Sequence, residues 1–480
     1  MKKKSVAMNA VLNVLRQCCT VLFPLLITKH VTGALGAANY GKVGFGNSIV
    51  EYFSLLAAFG ISAYAVREGA KRREQPKEFA SLCSQIFTLN ILTTAVSYGI
   101  LLVLLLTWQQ IRDYRLLILI ESSIILFTTL GTDWINNIFE DFTYITIRHI
   151  LFQVLGVVSI LCFVRSAQDY LLYAGLMALT KIGGNVLNIF YIRKKYVKLR
   201  LTWHIQLHKH LKSLVLLFGS YAATAVYTNF GTTLLTLQKG DAVTGIYSLG
   251  MKIYTIAKLL ISAVIAVVTP RLAACLGNRD EEGYGKLLNQ LLWALTLLML
   301  PASVGLFVLS PQVITFLAGS AYLEGVTALR ILAAALSFGT LGVFMLHCVL
   351  IPKGLEKASL LAPVAGAASN VGLNFLLIPG LSLNGAALSV LAAEACMLLT
   401  ALLRSRGHWK MELKLQQLWP AIPGCAAIAG ICLLAQKSFS SNSVILVVAI
   451  GGSVAAYGLI LLLLEGNVLK ETIGTFRRRK

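Results

Sequence analysis

AVLNVLRQCCTVLFPLLIT, residues 10–28, is long and apolar enough to cross a bilayer, yet it carries Arg16 in its interior. A helix rises 1.5 Å per residue, so about 20 residues span a hydrocarbon core roughly 30 Å thick. A cleaved signal peptide would end its apolar run at a small-residue site. No such site stands out here, and Arg16 and Pro24 interrupt the run. The stretch therefore reads as a retained first span, with the basic MKKKS before it on the cytoplasmic side.

The rest of the chain repeats the pattern. Hydrophobic residues make up 57% of the 480 and charged residues only 13%, against about 25% charged in soluble domains. Fourteen apolar segments follow one another, at roughly 10–30, 41–65, 80–107, 115–138, 147–165, 170–192, 213–237, 244–270, 287–310, 324–350, 358–378, 383–403, 417–435 and 443–465. The expected fold is an all-α polytopic membrane protein of about 14 transmembrane helices. The net charge of +22 is placed by topology: REGAKRR (67–73), RKKYVKLR (193–200) and the terminal RRRK (477–480) all fall on the side of the N-terminus. That is the positive-inside pattern, and an even number of spans keeps both termini cytoplasmic in the cell membrane. Charge dispersed over separate loops argues against nucleic acid as a partner and for anionic lipid at the cytoplasmic face. The amphipathic segments 201–211 and 410–419 suit that headgroup layer.

Several chemistries lack their residues. The nine cysteines are scattered through apolar spans without a C-x-x-C pair, so they read as packing residues, and neither metal nor cofactor is expected. No P-loop motif is present, and the outer loops are too small for a catalytic domain, so no enzyme is expected.

The longest inside linker, 193–212, divides the first twelve segments into two sets of six. The expected organisation is a six-helix lobe over 1–192, the linker, a second pseudo-symmetric lobe over 213–404, and two C-terminal helices with a basic tail over 405–480. Sliding 38–70 against 242–274 without gaps matches Gly41 to Gly245, Gly46 to Gly250 and Arg67 to Arg271. Such an internal repeat is the ground plan of many transporters.

Eight ionisable residues lie within the spans: Arg16, Glu51, Glu121, Asp133, Lys181, Lys252, Lys258 and Glu394. Each costs about 2.5–3.5 kcal/mol at a helix centre, so most must face water or one another. Asn13, Arg16 and Gln17, spaced i, i+3, i+4, form one polar stripe on helix 1. A cation among amides suits a sugar or phosphate ligand, although polar stripes also join helices. Glu51 could instead neutralise Arg16 or Lys258, and Lys181 has a stem long enough to reach an interface.

Three further motifs carry a resemblance. VTGALGAANYG (31–41), AVREGAKRR (65–73) and DWINNIFEDFTYITIR (133–148) resemble the Wzx-type polysaccharide-biosynthesis flippases of the multidrug/oligosaccharidyl-lipid/polysaccharide exporter superfamily. The resemblance implies movement of a polyprenyl-diphosphate-linked oligosaccharide across the cytoplasmic membrane by alternating access of two lobes around a cationic lumen. It makes Arg16, Lys181, Lys252 and Lys258, with Asn13 and Gln17, candidate substrate-binding residues. It also implies a polysaccharide polymerase or assembly machinery as partner. Glu51 and Asp133 are the candidate ion-coupling acids, and Asp133 with Glu140 also suits capping of helix 4. A multidrug antiporter of the same superfamily, or a peptidoglycan-precursor flippase, stands as the alternative.

Overall fold

The computed structural model describes residues 6–202, 207–407 and 421–477, with the side chains of 6–18, 21–22, 207–213, 216–217, 220 and 464–477 outside the description. Among the described residues there is no β-strand. The described residues form fifteen α-helices, in order α1 Val6–Ala58, α2 Ile61–Arg72, α3 Pro76–Thr107, α4 Arg115–Gly131, α5 Asp133–Ile138, α6 Phe142–Phe163, α7 Tyr170–Lys195, α8 Leu207–Lys239, α9 Asp241–Gly277, α10 Glu281–Val308, α11 Ser310–Ala318, α12 Val326–Phe344, α13 Glu356–Arg404, α14 Ala421–Ser438 and α15 Asn442–Arg477. Within the described residues, the fourteen apolar segments fall on this helical framework; 417–420 lie outside them. Ten helical stretches among the described residues are long and apolar enough to cross a membrane. The chain is a multi-pass membrane protein.

The two longest helices, α1 and α13, are each two helices joined by one residue. Gly36 breaks α1 with φ +69°, and Ser382 breaks α13 with φ +52°. Glycine takes the left-handed region at little cost, whereas serine there is strained. At the second break the chain folds back on itself: a Cβ on Gly385 would lie 2.6 Å from the Leu377 carbonyl. The helix ends obey ordinary capping rules. Pro76 opens α3 at a position whose N–H needs no partner, and the Asp280 carboxylate accepts from the Gly283 N–H at 2.8 Å to start α10.

The helices collect into two compact units, Met1–Gly245 and Ile246–Lys480. In the first, Phe45, Ile49, Leu101, Ile118 and Ile125 form a core where α1, α3 and α4 meet. A second core joins Tyr64, Phe79, Trp134, Ile138 and Ile192. In the other unit, Leu309, Ile428, Cys432 and Ile445 seat α14 and α15 on the end of α10. Large apolar side chains also cover the outside; Leu106 and Leu376 are 74% and 75% exposed. Water would make such a surface sticky, while lipid tails are its natural solvent.

The sequence repeat has a structural counterpart inside the first unit. Gly36 and Gly240, 204 residues apart, both have positive φ, +69° and +88°. Five residues on in each copy, Gly41 and Gly245 face each other. A Cβ on Gly41 would lie 1.9 Å from the Asp241 carbonyl oxygen, and one on Gly245 would lie 2.0 Å from the Ala37 oxygen. Ala37 and Asp241 are themselves 204 apart, so the contact is reciprocal: each copy offers the other the same carbonyl and the same glycine. Reciprocity of this kind is what two equivalent segments make about a two-fold axis.

Candidate functional site

Asn13, Arg16 and Gln17 fall on the N-terminal half of α1. The side chains of Asn13, Arg16 and Gln17 lie outside the described residues. One turn beyond Arg16, Thr20 Oγ1 meets His149 Nε2 of α6 at 2.9 Å. A further turn on, the Thr28 hydroxyl donates to the Pro24 carbonyl one turn earlier at 2.7 Å. Pro24, Gly156, Ile160, Thr180 and Lys181 line a small cavity of about 30 Å³. Lys181 thus shares a wall with helix 1. It also lies close enough to Glu121 for their charges to interact. Glu121 is buried, with Oε2 lacking a hydrogen-bond partner, and it fits only because α1 presents Gly46, where a Cβ would come 2.6 Å from that oxygen.

The two candidate coupling acids differ. Glu51 is exposed on α1 and has no ion-pair partner among the described residues. Asp133 is committed to a network. Its Oδ1 accepts from Arg148 at 2.6 Å and from Asn188 Nδ2 at 2.8 Å, and Asn188 also donates to the Gly131 carbonyl and accepts from Asn136 Nδ2. Arg148 is 6% exposed at the side chain and Asp133 44%. This arrangement ties α5, α6 and α7 together. Glu140 stands outside it, exposed, with Arg73 at 3.6 Å.

Beside that network the turn between α5 and α6 is latched to the end of α7. Asp141 Oδ2 accepts from the Tyr191 hydroxyl at 2.6 Å, Lys195 Nζ at 2.6 Å and the Tyr196 hydroxyl at 2.8 Å. Tyr144 stacks on Tyr191 and Phe139 on Tyr196. Burial alone would raise the Asp141 carboxyl, but the bonds from Lys195, Tyr191 and Tyr196 outweigh it and hold the group below the ordinary carboxylate range. The latch is therefore complete above about pH 4, the unfolded value, and is lost as pH falls through the lower folded value. Asp141→Asn is expected to weaken it by about 1–2 kcal/mol, the worth of a charge-assisted hydrogen bond. Faster amide exchange at residues 191–197 is the readout, and exchange equal to wild type would refute the latch.

In the second unit α9 carries both predicted lysines. Lys252 is half-buried. Lys258 forms an ion pair with Glu394 of α13, and the Tyr254 hydroxyl donates to the same Glu394 oxygen, Oε1, at 2.6 Å. Tyr254 escaped the sequence reading, although its place one turn before Lys258 was a usable signal. Asn370 and Asn374 of α13 are fully buried, and Asn374 Nδ2 donates to Asn370 Oδ1 at 2.8 Å.

The family model described as "Polysaccharide biosynthesis protein" matches residues 6–275. The chain belongs to that family. A relative from Shigella dysenteriae, described as "Putative O-antigen transporter", is 24% identical over 386 residues, covering 79% of this chain and 94% of the relative. Among solved structures, the lipid II flippase MurJ in an inward closed conformation superposes with a TM-score of 0.71 at 15% identity, over 96% of this chain and 100% of that one. An inward-facing multidrug-resistance MATE transporter of the MOP superfamily gives 0.62 at 16% identity, over 83% and 98%. At these identities the family member shares their helical transporter fold, and the substrate must be argued from its own residues.

Proposed function

We propose that the protein is a flippase that moves a polyprenyl-diphosphate-linked oligosaccharide repeat unit across the cytoplasmic membrane for surface polysaccharide assembly. One observation carries the reading. The polysaccharide-biosynthesis match over 6–275 contains every predicted intramembrane cation, Arg16, Lys181, Lys252 and Lys258. In this reading the six-helix sets 1–192 and 213–404 alternate access around a path lined by those cations, and 405–480 flanks them, with both termini cytoplasmic. Arg16 meets the diphosphate, since guanidinium stays charged and offers a planar fork of donors to phosphate oxygens. In low dielectric that attraction exceeds its value in water. A polymerase or assembly partner would receive the unit on the far side.

Deletion of the gene should leave lipid-linked oligosaccharide in the cytoplasmic leaflet and strip surface polysaccharide. Wild type should restore both and Arg16→Glu neither, with Arg16→Lys intermediate. Unchanged lipid pools and polysaccharide in the deletion strain, or full rescue by Arg16→Glu, would count against the reading. The exposed acid Glu51 favours a second one, a multidrug antiporter of the same superfamily, because cationic drugs need an acid on their path. Resistance lost on deletion, with polysaccharide intact, would select it.

A further inference from the structure

Glu394 makes an unusual use of its two oxygens. Its side chain is 0% exposed, and both donors that reach it, Tyr254 Oη and Lys258 Nζ, share Oε1. Oε2 is equally buried and has no hydrogen-bond partner among the described residues. The space is closed by α12, which presents Gly339. A Cβ there would lie 2.7 Å from Tyr254 Oη, 2.9 Å from the Glu394 carboxyl carbon and 2.9 Å from Lys258 Cε. The hydrogen bonds and the ion pair recorded for Glu394 come from Tyr254 and Lys258, both of α9. Arg330, the ionisable residue of α12, donates to the Phe307 carbonyl, and the π-helical turn Met345–Leu350 places His347 and Cys348 beyond Gly339.

The pair is asymmetric in access. Lys258 keeps 15% exposure while Glu394 has none. An anion that reaches the pair can touch the ammonium but not the carboxylate. Should it take Lys258, Glu394 would be a buried carboxylate without a counter-charge. Such a group does not stay ionised; it takes a proton. The bare Oε2 is the atom with room for that proton, and the resulting neutral acid keeps the Tyr254 bond at Oε1.

We propose that Glu394 is an internal stand-in for an anionic ligand: it holds Lys258 when no ligand is present, and a phosphate-bearing ligand displaces it with uptake of one proton onto Oε2. This deepens, and rests on, the flippase reading above. The exchange links ligand and proton through one residue. Ligand binding strengthens as pH falls, and raising pH restores the internal pair and expels the ligand. It also keeps affinity modest, because every bound ligand must first compete with a carboxylate already in place.

The test uses the full chain in lipid nanodiscs, with farnesyl diphosphate as a soluble prenyl diphosphate probe. Titration calorimetry in buffers of different ionisation enthalpy counts protons taken up on binding. Wild type should take up close to one proton more than Glu394→Gln. Its affinity should fall by up to about tenfold per pH unit beyond the probe's own titration, the limit for one linked proton. Glu394→Gln should bind at least about tenfold tighter than wild type at the upper end of the range and lose that slope. Equal proton uptake and equal slopes in the two proteins would overturn the exchange while leaving the flippase reading intact. Absence of probe binding to either protein would overturn both. Should Glu394→Gln not fold, infrared difference spectra decide. A protonated carboxyl band should appear when the probe is added to wild type and shift in Tyr254→Phe, and its absence overturns the proposal.

Discussion

Gly245→Ala is expected to remove most of the folded protein from the membrane. The added carbon would stand 2.0 Å from the Ala37 carbonyl oxygen, and the obstacle is backbone on a helix, not a side chain that can swing aside. Relief requires the two segments to separate. Overpacking where side chains can adjust already costs about 1–3 kcal/mol, and this contact lacks that freedom. A loss of that size or greater consumes much of a typical stability and lowers steady-state abundance several-fold. The reciprocal geometry adds a sharper expectation. Gly41→Ala meets the Asp241 oxygen at 1.9 Å, so it should do as much damage as Gly245→Ala. The double variant should be little worse than either single one, because one separation of the segments relieves both clashes. Membrane abundance and the melting temperature of the purified protein check this; additive losses would mean that the two glycines act separately.

Asp133→Ala is expected to be the most damaging single change among the intramembrane charges of the first unit. It strands the Arg148 guanidinium, 6% exposed and already short of a partner at Nη1. Breaking a buried pair in this way costs about 3–5 kcal/mol, and the 44% exposure of Asp133 trims that toward the low end. Arg148→Leu should cost less. It removes the buried charge outright, while Asp133 keeps water and the Asn188 bond. Adding Arg148→Leu to Asp133→Ala should therefore recover stability that the single change lost. Thermal melting of the four proteins reads the cycle. A coupling role for Asp133 would show differently, as altered ion dependence of transport at wild-type melting temperature.

The spans were legible because hydropathy is a local property: a run of apolar residues such as 80–107 declares itself without knowledge of its neighbours. The repeat was legible for a related reason, since glycines at 41 and 245 must recur wherever backbones cross closely. The comparison window opened at 38 and so missed the equivalent break at Gly36 and Gly240 by two residues. What spacing does not encode is which charge meets which. Lys258 and Glu394 are joined across 136 residues, and nothing in the neighbourhood of either announces the other. Read alone, Lys258 was one more candidate cation, and Asp133 one more acid. Their partners, Glu394 with Tyr254 and Arg148 with Asn188, are products of helix packing.

The join at Ser382 has a consequence for how this gene can vary. The halves of α13 are folded back with Gly385 against the backbone at Leu377, and only a residue or two lies between them. There is no slack to absorb a change of length. One inserted residue turns the following helix by about 100° and advances it by about 1.5 Å, which would swing Glu394 away from α9 and carry a lipid-facing residue inward. Insertions and deletions should thus be excluded from 379–384 even where substitutions are accepted. A library of single-codon insertions, scored for surface polysaccharide, would map this contrast along the chain.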